Sequence, residues 1–220
     1  MAPGRGRVQN LNRDMAHALD TSSRLGQVAR TLIDRASPAV IRVARNEAEV
    51  VAVQRLRGRA IVERGWAQAD DLVDDREVSE GDDRAVHLVA LFEDEPVGTC
   101  RMIFSDYDRP LPVEALETWA AIPRPVVELG RVVVVPGHGF SQHALTAGLI
   151  GAAWLEITAR DHQRICGTAT VAMLRLYRRL GFLLTVIGPP AVIAGEERYP
   201  VLFEPNPETT AAITARHSMP

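Results

Sequence analysis

Residues Pro125 to Phe140 read PVVELGRVVVVPGHGF, and the rest of the chain is organised around them. The first half is a run of valines interrupted by Glu128, Gly130 and Arg131. It has no helical period, which predicts a strand in the middle of a sheet, covered on both faces. A carboxylate and a guanidinium in such a strand are costly unless they are paired or used. The second half, Pro136-Gly137-His138-Gly139, is turn material opening onto an apolar helix over Gln142 to Arg160. A helix start of this kind presents unpaired backbone N–H groups to an anion.

Before this strand, Val86 to Phe92 and Val97 to Phe104 are two apolar runs joined by Glu93-Asp94-Glu95-Pro96, which predicts an antiparallel hairpin. Ala39 to Ala44 reads as a first strand. Asn46, with Glu49 three residues later, reads as the capped start of a helix running to about Arg64. Ala67 to Asp83 is acidic and loop-like, and Pro112 to Ala121 reads as a short helix carrying Trp119. After the long helix, Arg164 to Ala169 is a short strand. Val171 to Leu180 is a helix stopped by Gly181. Leu183 to Ile187 and Tyr199 to Phe203 complete the strands. This order predicts an α/β domain, a mixed sheet with helices on both faces, over residues 38–206. Residues 1–37 carry Leu11, Met15, Leu19, Leu25, Val28 and Leu32 at roughly helical spacing and read as an amphipathic arm, breaking near Thr21-Ser22-Ser23. The arm is expected to dock on the domain or on a second subunit. Residues 207–220 read as a flexible tail.

The hydrophobic content of 46% suffices for a core. A net charge of −3 argues against nucleic acid as a partner. No apolar run is long enough for a membrane span. The basic start MAPGRGRVQN, with no apolar stretch behind it, does not read as a secretory leader. Cys100 and Cys166 lie in apolar stretches and read as buried thiols, which fits a cytoplasmic protein. The histidine spacing does not suggest a metal site. The chain has no lysine, so Schiff-base chemistry is excluded and every cationic contact falls to arginine.

The strand order and the later Tyr177-Arg178-Arg179-Leu180-Gly181-Phe182 resemble the GNAT superfamily of acyltransferases, over about residues 39–204. A narrower resemblance is to the acyl-homoserine-lactone synthases and the related long-chain N-acyl amino acid synthases. It rests on Leu56-Arg57 with Ile61, Arg64 and Trp66; on Asp82 ahead of Ala85 and His87; on Gly98-Thr99-Cys100-Arg101; and on Glu128-Leu129-Gly130-Arg131. Gly130 stands where that family usually has serine. His87 stands where the lactone synthases more often have tyrosine, which leans toward the N-acyl amino acid branch. The resemblance implies a GNAT-like, mostly antiparallel central sheet flanked by helices. It also implies transfer of an acyl group from a thioester to an amine, of an amino acid or of S-adenosylmethionine. No tightly bound cofactor is implied. Acyl-coenzyme A or an acyl-carrier protein would be the co-substrate, and a homodimer is an open state. The competing readings are an acetyl-coenzyme A-dependent acetyltransferase and a non-catalytic acyl-thioester-binding module.

Such a transfer needs an amine that loses a proton, a stabilised oxyanion and a leaving thiolate. Glu128 is the candidate general base, its pKa raised by partial desolvation, or else a structural partner of Arg101 or Arg131. Backbone N–H groups at Val132 or Val133 would hold the oxyanion if the strand splays or bulges there, which Gly130 favours. Tyr177 is the candidate general acid, or an amphipathic tyrosine capping the core. Arg57, Trp66, Asp82, Arg101 and Arg131 are candidates for the acceptor site, since guanidinium and carboxylate together recognise a zwitterion. Gly137, His138, Gly139 and Thr168 are candidates for the acyl-donor site. Small residues on the long helix (Ala147, Gly148, Gly151, Ala152) leave room for an acyl chain, or else for close packing.

Overall fold

A computed structural model describes residues 21–106, 108–115, 122–137, 139, 141–193 and 195–217. Leu11, Met15, Leu19, Trp119 and His138 lie outside the described residues. In chain order the elements are α1 (21–35), β1 (Val40–Val43), α2 (Glu47–Glu63), β2 (Val86–Phe92), β3 (Glu95–Phe104), β4 (Val127–Val134), α3 (Gln142–Thr158), β5 (Ile165–Ala169), α4 (Val171–Arg179), β6 (Thr185–Val186), β7 (Ala191–Ile193), β8 (Glu196–Phe203) and α5 (Pro207–His217). The sheet order is β1-β2-β3-β4-β5-β8-β6, with β7 paired to β8. Among the described strands only the β4–β5 pair is parallel; the other pairs are antiparallel.

Local chemistry accounts for the boundaries. The Asn46 side chain accepts from the Glu49 N–H at 3.0 Å and caps α2. Glu49 does not reach back to Asn46; its carboxylate accepts from Arg42 and from the Arg45 N–H at 2.7 Å. Glu93 and Asp94 both take positive φ and turn β2 tightly into β3. Gly181 ends α4 in the left-handed conformation, with Phe182 N–H bonding Tyr177 C=O and Gly181 N–H bonding Arg178 C=O. A side chain at Gly181 would also strike the backbone of α5, 2.9 Å from the Ile213 Cα.

The main core lies between α3 and the face of β1–β4. Helix α1 docks on the other side of α3. A Cβ at Gly151 would lie 2.6 Å from the Ala29 carbonyl, and one at Gly148 would lie 2.7 Å from the Ala36 Cβ. These glycines therefore admit α1 and leave no space there for an acyl chain. The expected flexible tail is instead helix α5 over Pro207–His217. Asn206 and Thr209 cap each other reciprocally, and Ile213 is fully buried beside Leu25, Leu32 and Phe203. His217 then joins three helices: its Nε2–H donates to Leu180 C=O at 2.8 Å and its Nδ1 accepts from Arg35 at 3.2 Å.

Two irregularities in β4 position the site. In the β3–β4 ladder Arg101 pairs with Gly130 and Thr99 with Val133, so Cys100 alone faces both Arg131 and Val132. This is a β-bulge, and Arg131 takes φ +53° to form it. On the other edge, β4 pairs with β5 only at Val127–Ile165 and Glu128–Cys166. Beyond Glu128 the two strands part. Gly167 sits at the root of the gap, where a Cβ would lie 2.5 Å from the Leu129 carbonyl.

Candidate active site

The parting of β4 and β5 opens two cavities. One is narrow and apolar, running between the strands and under α3 and α4, with Ile150, Trp154, Phe182 and Phe203 in its walls. The other is a polar cleft containing Glu128, Arg131, Val132 and Trp66. Leu129, Thr168 and Tyr177 line both, so the two spaces meet at the tyrosine.

Glu128 is 7% exposed. Its Oε2 accepts from the Val113 N–H at 2.8 Å, and its Oε1 faces Arg101 Nη2 at 3.4 Å. Burial raises its pKa above the ordinary carboxylate value, against the opposing pull of the Val113 N–H, Arg101 and Arg131. Behind it lies a buried chain of ion pairs. Arg101 Nη1 donates to Asp82 Oδ1 at 2.9 Å and to Ser79 Oγ at 2.7 Å. Arg57 pairs with the other oxygen of Asp82, and its Nε lies 2.6 Å from Glu77 Oε2. Glu77 Oε1 in turn accepts from Arg131 Nε at 2.9 Å. Burial pushes Asp82 up, but the hydrogen bonds from Arg57 and Arg101 outweigh it and hold the carboxyl at about 2.

The residues named from sequence are thus brought together, but not all in one role. Arg57 and Arg101 are 1% and 2% exposed, and neither they nor Asp82 lines the cleft. Expected in contact with the acceptor, they instead sit one layer behind Glu128, with their donors directed at carboxylates and loop carbonyls. Arg131 and Trp66 do line the cleft. Val132 lines it too, while Val133 is paired with Thr99 of β3. Tyr177 has its pKa raised by burial and by the nearby Cys100, so the phenol keeps its proton through neutral pH. Gly137 and Gly139, both at positive φ, form the exposed turn before Ser141, which caps α3. Cys100 and Cys166 are buried free thiols. His87 is buried opposite Arg101, with its pKa lowered by burial.

Sequence reasoning missed Glu77, Gln54 and Arg198. Glu77 bridges Arg57 and Arg131 from the acidic loop. Gln54 donates to Asp82 Oδ2 and accepts from Arg76. Arg198, on β8, reaches over the Trp66 ring. Nothing in the spacing of these residues distinguishes them from solvated polar positions.

Several solved structures share this architecture. The acyl-homoserine-lactone synthase LasI superposes with a TM-score of 0.67 at 18% identity, covering 80% of this chain and 94% of LasI. The fold is that of the acyl-homoserine-lactone synthases. BjaI, a coenzyme A-dependent acyl-homoserine lactone synthase solved with SAM and isopentyl-CoA, gives 0.67 at 22% identity, over 83% of this chain and 90% of BjaI. FeeM, an N-acyl amino acid synthase from uncultured soil microbes, gives 0.60 at 15% identity, over 83% and 98%. No family model and no curated protein matches the chain. In this chain Glu128 and the bulge lie where β4 and β5 part.

Proposed function

We propose that the chain is an N-acyltransferase that moves an acyl group from a thioester, carried by coenzyme A or a carrier protein, to a small-molecule amine. One observation carries this reading. The bulged stretch of β4, unpaired on its β5 edge, separates an apolar cavity from a polar cleft holding a carboxylate of raised pKa, and the two spaces meet at Tyr177. The apolar cavity takes the acyl chain, and the cleft takes the acceptor. Glu128 removes a proton from the acceptor ammonium or from the attacking amine, directly or through a water. The amine nitrogen bonds to the thioester carbon, and the backbone N–H of the bulge at Val132 holds the oxyanion. The C–S bond then breaks, Tyr177 protonates the departing thiolate, and the proton that the nitrogen sheds on becoming an amide restores the phenol. The products are an amide and a free thiol. Arg57, Asp82 and Arg101 position Glu128.

The test is thiol release from acyl-coenzyme A substrates of increasing chain length, with pooled amino acids or S-adenosylmethionine as acceptors. The amide is identified by mass spectrometry. Amide formation with medium or long chains is expected. Turnover of acetyl-coenzyme A alone would favour a plain acetyltransferase, and no thiol release with any donor would refute the proposal.

A further inference from the structure

The polar cleft that holds Glu128 is also lined by three guanidinium groups and one indole. Arg64 Cζ lies 4.9 Å from the Trp66 ring centroid and Arg198 Cζ lies 5.0 Å from it. Arg131 also lines the cleft. Two of these three cations have carboxylate partners: Arg131 with Glu77, and Arg198 with Glu196 at 3.2 Å on the rim. Among the described residues Arg64 has no carboxylate within ion-pair distance, and Arg198 Nε is buried without a hydrogen-bond partner. Both Arg64 and Arg198 lie within cation–π distance of the indole.

We infer that Arg64 and Arg198, beside Trp66, form a subsite for the α-carboxylate of an amino-acid acceptor, whether a free amino acid or one carried in a sulfonium compound. This rests on the acyl-transfer reading and adds to it the contact that holds the acceptor's carboxylate. The amino acid places its ammonium toward Glu128 and its carboxylate toward the two guanidinium groups, which suit planar, bidentate recognition. The subsite lies on β8 and just after α2, on the cleft side of the sheet gap, whereas the Gly137–Gly139 turn leads into α3. A carboxylate here therefore comes from the acceptor and not from a donor phosphate.

The test is calorimetric titration of the full chain with three product-like amides: N-octanoylglycine, its methyl ester and N-octanoyl homoserine lactone. The free acid should bind about tenfold or more tighter than either uncharged amide. Arg198→Gln and, separately, Arg64→Gln should abolish that preference while leaving the ester's affinity and the KM for acyl-coenzyme A unchanged. Thermal melts establish that each variant is folded. Equal binding of acid and ester, tighter binding of the lactone, or a preference that survives both substitutions would overturn the inference. So would a raised donor KM, which would assign the arginines to a donor phosphate. Because binding is read without turnover, a carboxylate preference in a chain that releases no thiol would uphold the subsite and refute the transferase.

Discussion

Asp82→Asn removes the one carboxylate shared by Arg57 and Arg101, both of which are almost fully buried. Breaking a buried pair from one side costs about 3–5 kcal/mol, because the partner charge is left uncompensated. Asn keeps one carbonyl acceptor, and Glu77 and Glu128 still face the two guanidinium groups, so the lower end, about 3 kcal/mol, is expected. For a chain of this size that is a fall in Tm of roughly 6–12 °C. The effect depends on pH with a definite sign. Asp82 is held at about 2, against an ordinary value of 3.8, so its contribution is complete above about pH 4 and is lost as pH falls toward 2. The gap between wild type and variant should therefore narrow by about 2 kcal/mol across that window. Catalysis should shift as well. Arg101, relieved of Asp82, turns to Glu128, now 3.4 Å away, and lowers the carboxyl's pKa, moving the acid limb of the pH–rate profile to lower pH. Urea unfolding at several pH values and a kcat profile check both parts. A variant within about 0.5 kcal/mol of wild type, with an unmoved acid limb, would refute the reasoning.

Further outcomes follow from the same geometry. Gly151→Ala places a Cβ 2.6 Å from the Ala29 carbonyl and should cost about 1–3 kcal/mol in urea unfolding, as α1 is pushed off α3. Tyr177→Phe should lower kcat by about 100-fold with little change in either KM. An unchanged kcat would leave Tyr177 as a core-capping residue. Ile150→Trp fills the apolar cavity and should shift the preferred donor to shorter chains, at about 0.8 kcal/mol of lost binding per excluded methylene, read as kcat/KM across a chain-length series.

The sheet was legible because its signals are local. The valine run, the Glu93-Asp94 turn and the Gly181 stop each depend on nearby residues, and the structure places strands and helix ends where they point. The bulge was foreshadowed by Gly130, yet the residue at positive φ is Arg131, which a side-chain pattern alone does not mark. The roles of Arg57, Asp82 and Arg101 were harder to read. Their types suit a zwitterion site, but only the fold of the acidic loop, which brings Ser79, Glu80 and Asp82 onto the arginines, shows that their hydrogen bonds are spent inside the protein. Helix α5 looked like a tail because it is short and polar apart from a few residues; its burial comes from α1 and α3, which are distant in sequence. The same long-range packing explains Gly148 and Gly151, whose space is taken by α1.

The most direct test is acyl-thioester turnover by Glu128→Gln beside wild type, with thiol release and amide mass followed together. Gln keeps the shape and the Val113 N–H contact but cannot take a proton. A loss of about tenfold or more in kcat, with the melt unchanged and the acid limb of the pH profile abolished, is expected. Full turnover in the variant would remove Glu128 from the chemistry and contradict acyl transfer by this base.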